Sequence, residues 1–310
     1  MTLSWEFCEL KILVAGGTGF LGSNLVKKLI ERHHEIVLLT RRPAYGQKTS
    51  TYQVVHWPLT HDSDLTIARQ CQAIVNLAGE SIAGHYWSEN RKNLIRLSRI
   101  QFTRDLVDAV ATSAELKIFL SGSATGFYGD RKSELLTEES PRGTGFLADV
   151  CRAWEAEANV LRVNSNIRVV NLRTGTVLSR GCGFLGEIER LYRLHLGGPA
   201  GSGDQFISWI HLSDWLNAVL FILENATVSG PVNLVAPEPI TNGAFSRFYR
   251  TILNKPFQVP APEIVLKLIL GEQSALLLES QNARPKKLDE YGFRFEYPSL
   301  RDALDEIYKS

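Results

Sequence analysis

Along this chain, short unbroken apolar runs alternate with longer stretches in which apolar residues return every three or four positions. The runs fit strands buried on both faces, and the stretches fit amphipathic helices. The pairing is sharpest at residues 11–30. Ile12 to Ala15 forms an apolar run; Leu21, Leu25 and Leu29, with Val26 and Ile30, then share one helix face. Further strands are expected at 35–40, 53–56, 73–77, 118–121 and 168–172, and long helices at 90–111 and 146–161. Strand and helix alternating at this rhythm predict an α/β fold, a doubly wound parallel sheet with right-handed crossovers.

Beyond Arg173 the alternation loosens. Seven glycines fall between Gly181 and Gly203 around an apolar-basic segment. F-I-S-W-I-H-L-S-D-W then leads into a helix ending near Leu223, and 231–234 reads as another strand. Two helices (242–253 and 262–270), a polar turn region (284–298) and a terminal helix (300–308) complete the chain. The domain reading is a dinucleotide-binding unit over 11–175, with 206–236 returning to it. Residues 176–205 and 237–310 form a smaller C-terminal α+β substrate lobe.

Gly16, Gly19 and Gly22 separate the first strand from the first helix. Gly16 and Gly19 allow a tight turn whose N–H groups approach a pyrophosphate, and Gly22 packs the helix on the strand with its positive end aimed at the phosphates. The end of the second strand sharpens the expectation. A carboxylate there would hold the ribose 2′-hydroxyl of NAD, but this chain has Thr40-Arg41-Arg42. A guanidinium matches a phosphate bidentately, so the expected cofactor is NADP(H). Ala78-Gly79-Glu80 follows the fourth strand, at the carboxyl edge where open α/β sheets place ligands.

A formal net charge of +1 over 310 residues leaves no electrostatic footprint for nucleic acid or an anionic membrane. Cys8, Cys71, Cys151 and Cys182 are far apart, which argues against a disulfide framework or zinc site and fits a reducing compartment. No metal-ligand spacing occurs. The first ten residues do not read as a secretory signal, and the apolar run 215–223 is too short to span a bilayer. A cytoplasmic protein is expected, with a small molecule as its partner.

Several strings together resemble a known family. V-A-G-G-T-G-F-L-G, L-T-R-R-P, V-N-L-A-G-E-S-I, S-G-S-A-T-G-F-Y-G-D, L-R-T-G-T-V-L-S-R-G, L-G-G-P-A-G-S-G-D-Q-F-I-S-W-I-H-L-S-D and V-N-L-V-A-P-E-P-I-T-N occur in order. They are similar to the extended short-chain dehydrogenase/reductase superfamily, the epimerase/dehydratase-like proteins, and within it to the atypical YfcH-type epimerase family. The resemblance implies a Rossmann domain binding NADP(H) and a C-terminal lobe forming a substrate cleft. It places Gly16, Gly17, Thr18, Gly19, Phe20, Leu21, Gly22, Thr40, Arg41, Leu77, Ala78, Arg99 and Val177 on the cofactor. His211 and Asp214 fall in the W-I-H-x-x-D stretch joining sheet and lobe. By the same resemblance the chain is a monomer or a homodimer paired through helices 90–111 and 146–161.

The implied activity is that of an NADP-dependent oxidoreductase or epimerase-like enzyme on a small polar substrate. In this superfamily a Tyr exchanges the proton, a Lys four residues later lowers its pKa, and a Ser orients the substrate oxygen. Ser123 matches the Ser, but Leu147 and Cys151 stand at the Tyr and Lys positions. A literal Tyr-x-x-x-Lys occurs at Tyr128 and Lys132, where Gly129 and Asp130 break any helix that would align the pair. Tyr128 and Ser123 are the catalytic candidates; Glu80, His85 and Cys151 are weaker ones, and Arg190, Arg193 and His195 could face an anionic substrate. The missing dyad motivates an alternative, a catalytically weak NADP(H)-binding redox-sensing or regulatory protein.

Overall fold

The computed structural model of the chain describes residues 9–41, 52–163, 167–194, 196–255 and 257–309. Cys8, Arg42 and His195 lie outside these residues. The first half runs β1 (Lys11–Ala15), α1 (Phe20–Glu31), β2 (Glu35–Thr40), β3 (Gln53–His56), α2 (Asp62–Arg69), β4 (Ala73–Asn76), α3 (Glu89–Arg96) and α4 (Phe102–Val110). It continues through β5 (Ile118–Ala124), β6 (Leu135–Leu136), α5 (Phe146–Asn159), β7 (Arg168–Thr174) and β8 (Thr176–Leu178). Next come α6 (Gly183–Arg193), β9 (Phe206–Ile207), β10 (Trp209–His211), α7 (Leu212–Glu224), β11 (Gly230–Leu234) and β12 (Ile240–Thr241). The last elements are α8 (Asn242–Ile252), α9 (Glu263–Leu270), α10 (Ala275–Leu278), β13 (Asn282–Ala283), α11 (Lys286–Glu290) and α12 (Leu300–Lys309).

Seven strands form one sheet in the order β11-β7-β5-β4-β1-β2-β3, with every pairing parallel. The apolar runs are continuous because both faces are covered. Ile12, Val14, Ile36, Leu38 and Val75 pack against α1 and α7, through residues such as Leu25, Leu29, Trp215 and Val219. Their alternating neighbours Leu13, Ala15, Val37, Leu39 and Ile74 face α2 and α4, through Ala68, Leu106 and Val110. Each buried Val, Leu or Ile among them contributes about 1.5–3 kcal/mol by leaving water. The strand order reverses between β4 and β1, which opens a crevice at their carboxyl ends.

A third core, built from Leu178, Trp209, Phe245, Tyr249 and Leu304, underlies the C-terminal elements. Three small two-stranded pairings, β10 with β8, β12 with β9 and β13 with β6, hold those elements against the ends of the main sheet. β11 is the edge strand and pairs parallel with β7.

Three expectations need correction. The helix expected at 90–111 is α3 and α4 joined by a π-helical turn, Leu97–Gln101; one wide turn leaves the apolar periodicity almost unaltered. β5 and β7 run to Ala124 and Thr174, past their expected ends, because polar Ser123 and Arg173 are paired rather than solvated. The polar region 284–298 includes a helix, α11. No helix among the described residues is long and apolar enough to cross a membrane, and no three metal-ligating side chains cluster there.

Candidate functional site

The glycine turn sits at the crevice. Gly16 has φ +77°, and a Cβ on it would lie 2.7 Å from the carbonyl carbon and oxygen of Leu77. A Cβ on Gly22 would lie 2.3 Å from the Gly16 oxygen, so the start of α1 rests directly on the turn. Gly19 donates its N–H to Gly16 at 3.0 Å and opens α1 with no side-chain cap and no acid in the first turn. The unpaired N–H groups and positive dipole end of α1 are therefore available to an anion. Opposite, Leu77 and Ala78 are fixed by N–H bonds to the Ala15 oxygen (2.9 Å) and Asn76 Oδ1 (3.2 Å). From the lobe side, a Cβ on Gly183 would stand 3.6 Å from the Phe20 ring and 3.7 Å from the Val177 oxygen, which puts Val177 beside this helix start. Backbone packed to these distances suits an extended dinucleotide.

At the end of β2, Thr40 is buried and Arg41 is 69% exposed. Arg41 reaches Glu80 at 3.3 Å, and Glu80 also takes Arg91 at 3.4 Å. The hydrogen bond from Arg41 leads in holding the Glu80 carboxyl below its usual range. Glu80 is thus a clamped anion rather than a proton donor. An exposed pair of this kind is worth about 0–1 kcal/mol, so Arg41 is readily released to a phosphate.

Arg99 lies in the π-helical turn. Its guanidinium carbon sits 2.9 Å from where a Cβ on Gly79 would be, and Nη2 donates to the Glu80 oxygen at 2.9 Å. The Trp154 ring lies 5.3 Å away. No carboxylate pairs with Arg99 among the described residues, and burial lowers its pKa. A desolvated cation beside the end of β4 is a strong attractor for an anionic ligand group.

The acid–base candidates fare differently. Ser123 donates its hydroxyl to Glu155 Oε1 at 2.7 Å. Glu155 in turn forms a buried bidentate pair with Arg173 at 2.8 and 2.9 Å. Arg173 lies 3.5 Å over the Phe127 ring and donates to Tyr128 Oη at 3.0 Å. Tyr128 is 0% exposed, with Oη 2.7 Å from Asn233 Oδ1 and 2.9 Å from the Thr137 oxygen; burial, opposed by Arg173, raises its pKa. Lys132 is 82% exposed, has φ +53° and pairs with Asp130. Tyr128 and Lys132 therefore do not meet, and the Tyr128 candidacy is corrected: its hydroxyl is spent in a structural network. Leu147 packs with Trp87, Phe146 and Leu276, and burial pushes the neighbouring Cys151 thiol up to about 11.

His85 and Arg190 are exposed, and Arg193 pairs with Glu189 on its own helix. His211 caps α7 and reaches Glu306 at 2.9 Å, while Asp214 accepts the N–H groups of Glu296 (2.7 Å) and Tyr297 (3.0 Å). Both fasten the C-terminal segment to the sheet. Sequence reasoning missed Arg91 and the Glu155–Arg173 pair. A signal for the pair existed: Glu155 shares a helix face with Ala148, Cys151 and Ala158, all buried.

The NAD dependent epimerase/dehydratase family model matches residues 12–235, and a domain of unknown function, DUF1731, matches 261–307. The chloroplastic epimerase family protein SDR39U1 homolog of Arabidopsis thaliana is 35% identical over 311 residues, covering 96% of this chain and 87% of that protein. The crystal structure of human epimerase family protein SDR39U1 with NADPH matches with a TM-score of 0.87 at 32% identity, covering 97% of this chain and all of that one. A nucleoside-diphosphate sugar epimerase from Corynebacterium glutamicum gives 0.78 at 30% identity, over 97% of this chain and 59% of that one. With such agreement along nearly its whole length, and with the glycine turn inside the matched region, this chain belongs to the NAD dependent epimerase/dehydratase family.

Proposed function

We propose that this protein is an NADP(H)-binding oxidoreductase or epimerase-like enzyme acting on a small polar substrate. The observation that carries the reading is the Gly16–Gly22 turn packed on Leu77-Ala78, with Arg41 exposed beside it and held only by a solvent-facing pair with Glu80. The human relative solved with NADPH supports it. The start of α1 would hold the pyrophosphate, Arg41 the 2′-phosphate, and Arg99 a further anionic group. When bound, the dinucleotide supplies or accepts a hydride.

Calorimetry should show tighter binding of NADPH than of NADH. Arg41→Ala should remove that preference, costing NADPH about 1.5–3 kcal/mol and NADH almost nothing. Equal affinity for the two would refute the cofactor assignment. A second reading, a catalytically weak NADP(H)-binding regulatory protein, is favoured by Leu147 and Cys151, since neither exchanges a proton at neutral pH. Loss of NADPH absorbance with a panel of carbonyl compounds supports the enzyme; tight binding with no turnover supports the second reading.

A further inference from the structure

One helix of the C-terminal lobe turns its apolar side to water. α9 reads E-I-V-L-K-L-I-L, and none of its residues is buried. Ile264, Val265, Leu268 and Ile269 are between 43% and 79% exposed. At about 100° per residue, Ile264 with Leu268 and Val265 with Ile269 form two neighbouring ridges of one face. The other side is taken up by the chain itself. Leu266 and Leu270 are half-buried, and the paired Glu263 and Lys267 border a cavity of about 560 Å³ that Glu279 also lines. Exposed Tyr86 extends the apolar surface past the end of the helix, with Oη 2.8 Å from the point a Cβ on Gly271 would occupy. Leu194, Leu196, Phe257 and Val259, also exposed, lie on the two segments that run together before its start, where Val259 donates its N–H to the Gly197 oxygen at 3.1 Å.

We propose that this face is the interface of a homodimer, in which α9 packs on α9 of a second copy across a two-fold axis. A convex surface of ridges does not enclose a small molecule, whose sites are concave. It does fit a helix of the same kind. The ridge of Ile264 and Leu268 enters the groove between the ridges of the second copy, and the two-fold axis makes each helix give and receive the same contact. The area agrees. Four aliphatic side chains so exposed present on the order of 500 Å² of apolar surface, a size at which a patch marks an interaction site. A stable interface takes about 800 Å² from each subunit, about 65% of it apolar in homodimers, which comes to the same figure. The charges agree as well. The one Glu and the one Lys of α9 neutralise each other, leaving no basic surplus for an anionic membrane and no net charge to select a charged protein.

The family resemblance implies a different pairing, through α3, α4 and α5. In this chain those helices meet water through Arg104, Asp108 and Arg152, with Arg104 paired to Glu157, and their exposed large apolar side chains are Leu94 and Leu97. Charged groups of that kind are depleted at the core of an interface, whereas α9 offers an unbroken aliphatic one. The position of α9 gives the contact a consequence. The turn Gly271–Ser274 joins it to α10, whose Leu276 packs with Leu147 and Trp87, and Gln273 of that turn donates to the Ile82 oxygen at 3.3 Å. A second copy on α9 therefore rests on the segment that covers Leu147.

Sedimentation velocity on the full chain tests this. Across about 1–100 μM it should show a monomer–dimer equilibrium with a Kd of about 10 μM or below. Leu268→Glu sets two carboxylates against each other in the apolar contact and should raise that Kd at least about 100-fold. Because Leu268 makes no buried contact in the single chain, Tm at low concentration should stay at the wild-type value. If Leu268→Glu fails to fold, Ile264→Gln on the same ridge takes its place. Arg104→Glu, on the face of α4, should leave the Kd unchanged. Hydrogen exchange read at both ends of the concentration range should slow over 263–270 as the dimer forms. A chain monomeric throughout, a dimer that survives both α9 substitutions, or slowed exchange over 102–110 and 146–159 in place of 263–270 overturns the proposal. So does a monomer that floats with phosphatidylcholine–phosphatidylserine vesicles and loses that binding in Leu268→Glu, which assigns the face to lipid.

Discussion

Replacing Gly16 by Ala tests the cradle most directly, because two separable costs fall on one methyl group. The first is conformational: φ is +77°, and an L-residue in that region costs roughly 1–2 kcal/mol. The second is crowding, since the new Cβ would lie 2.7 Å from the Leu77 carbonyl and 2.8 Å from the Ala78 nitrogen. Those are backbone atoms of a loop fixed to β1, so they yield only by moving the loop, at about 1–3 kcal/mol. Together the loss is about 2–5 kcal/mol, or about 4–10 °C in Tm for a chain of this size. Gly292→Ala supplies the control, with φ +80° and nothing within 4 Å of its Cβ position. It carries the conformational cost alone, roughly 1–2 kcal/mol. Thermal scans and NADPH calorimetry on both variants make the comparison. Gly16→Ala should lose more stability than Gly292→Ala and at least about tenfold in NADPH affinity, whereas Gly292→Ala keeps wild-type affinity. Equal stability losses would remove the crowding argument, and unchanged NADPH affinity in Gly16→Ala would show that this turn does not hold the cofactor.

Other substitutions probe the remaining supports. Arg173→Met leaves Glu155 buried without its partner and should cost about 3–5 kcal/mol in urea unfolding; adding Glu155→Leu should recover most of it, and a double variant as unstable as the single one would contradict the pairing. Asp214→Ala strips the acceptor from two backbone N–H groups, at about 1–3 kcal/mol each, and should expose the segment after Glu296 to limited proteolysis while residues before it stay protected. Glu279 gives a pH dependence of defined sign. The native state keeps its proton up to about 7, while the unfolded chain releases it near the ordinary glutamate value of about 4.3, so stability falls as pH rises through that window. Glu279→Gln should therefore raise Tm more at pH 8 than at pH 5; an equal effect at both would place the carboxyl outside that window.

The sheet was legible because both its faces are buried, so its strands appear as plain apolar runs that need no partner to be recognised. The glycine turn was legible for a related reason: strand, turn and helix are local in sequence, and the constraint acts within a dozen residues. What stayed hidden is long-range. Whether Tyr128 faces a cleft or a buried guanidinium depends on Arg173 and Asn233, which follow 45 and 105 residues later. Glu80 reads as a free carboxylate until Arg41 and Arg91 arrive from either side. Glu279 carried no signal, since its setting is made by α5 and the loop after β5, more than a hundred residues upstream. Short strands such as β6 and β13 were invisible for the same reason, each being only two residues long and defined by its partner.

The π-helical turn between α3 and α4 bears on how this stretch tolerates changes of length. A wide turn holds one residue more than an α-helical one, and each residue rotates a helix by about 100°. Removing any one residue from Leu97–Gln101 would let the helix close without a break. Because the surplus residue is contained in one turn, the residues on either side would keep their faces and Thr103, Leu106, Val107 and Val110 would still meet the sheet, while Arg99 would lose its place against Gly79. Leu97, by contrast, is half exposed and has room for many side chains. The stretch should accept substitutions at such outward positions, and a one-residue deletion within the turn should leave the fold in place at the expense of the Arg99 contact.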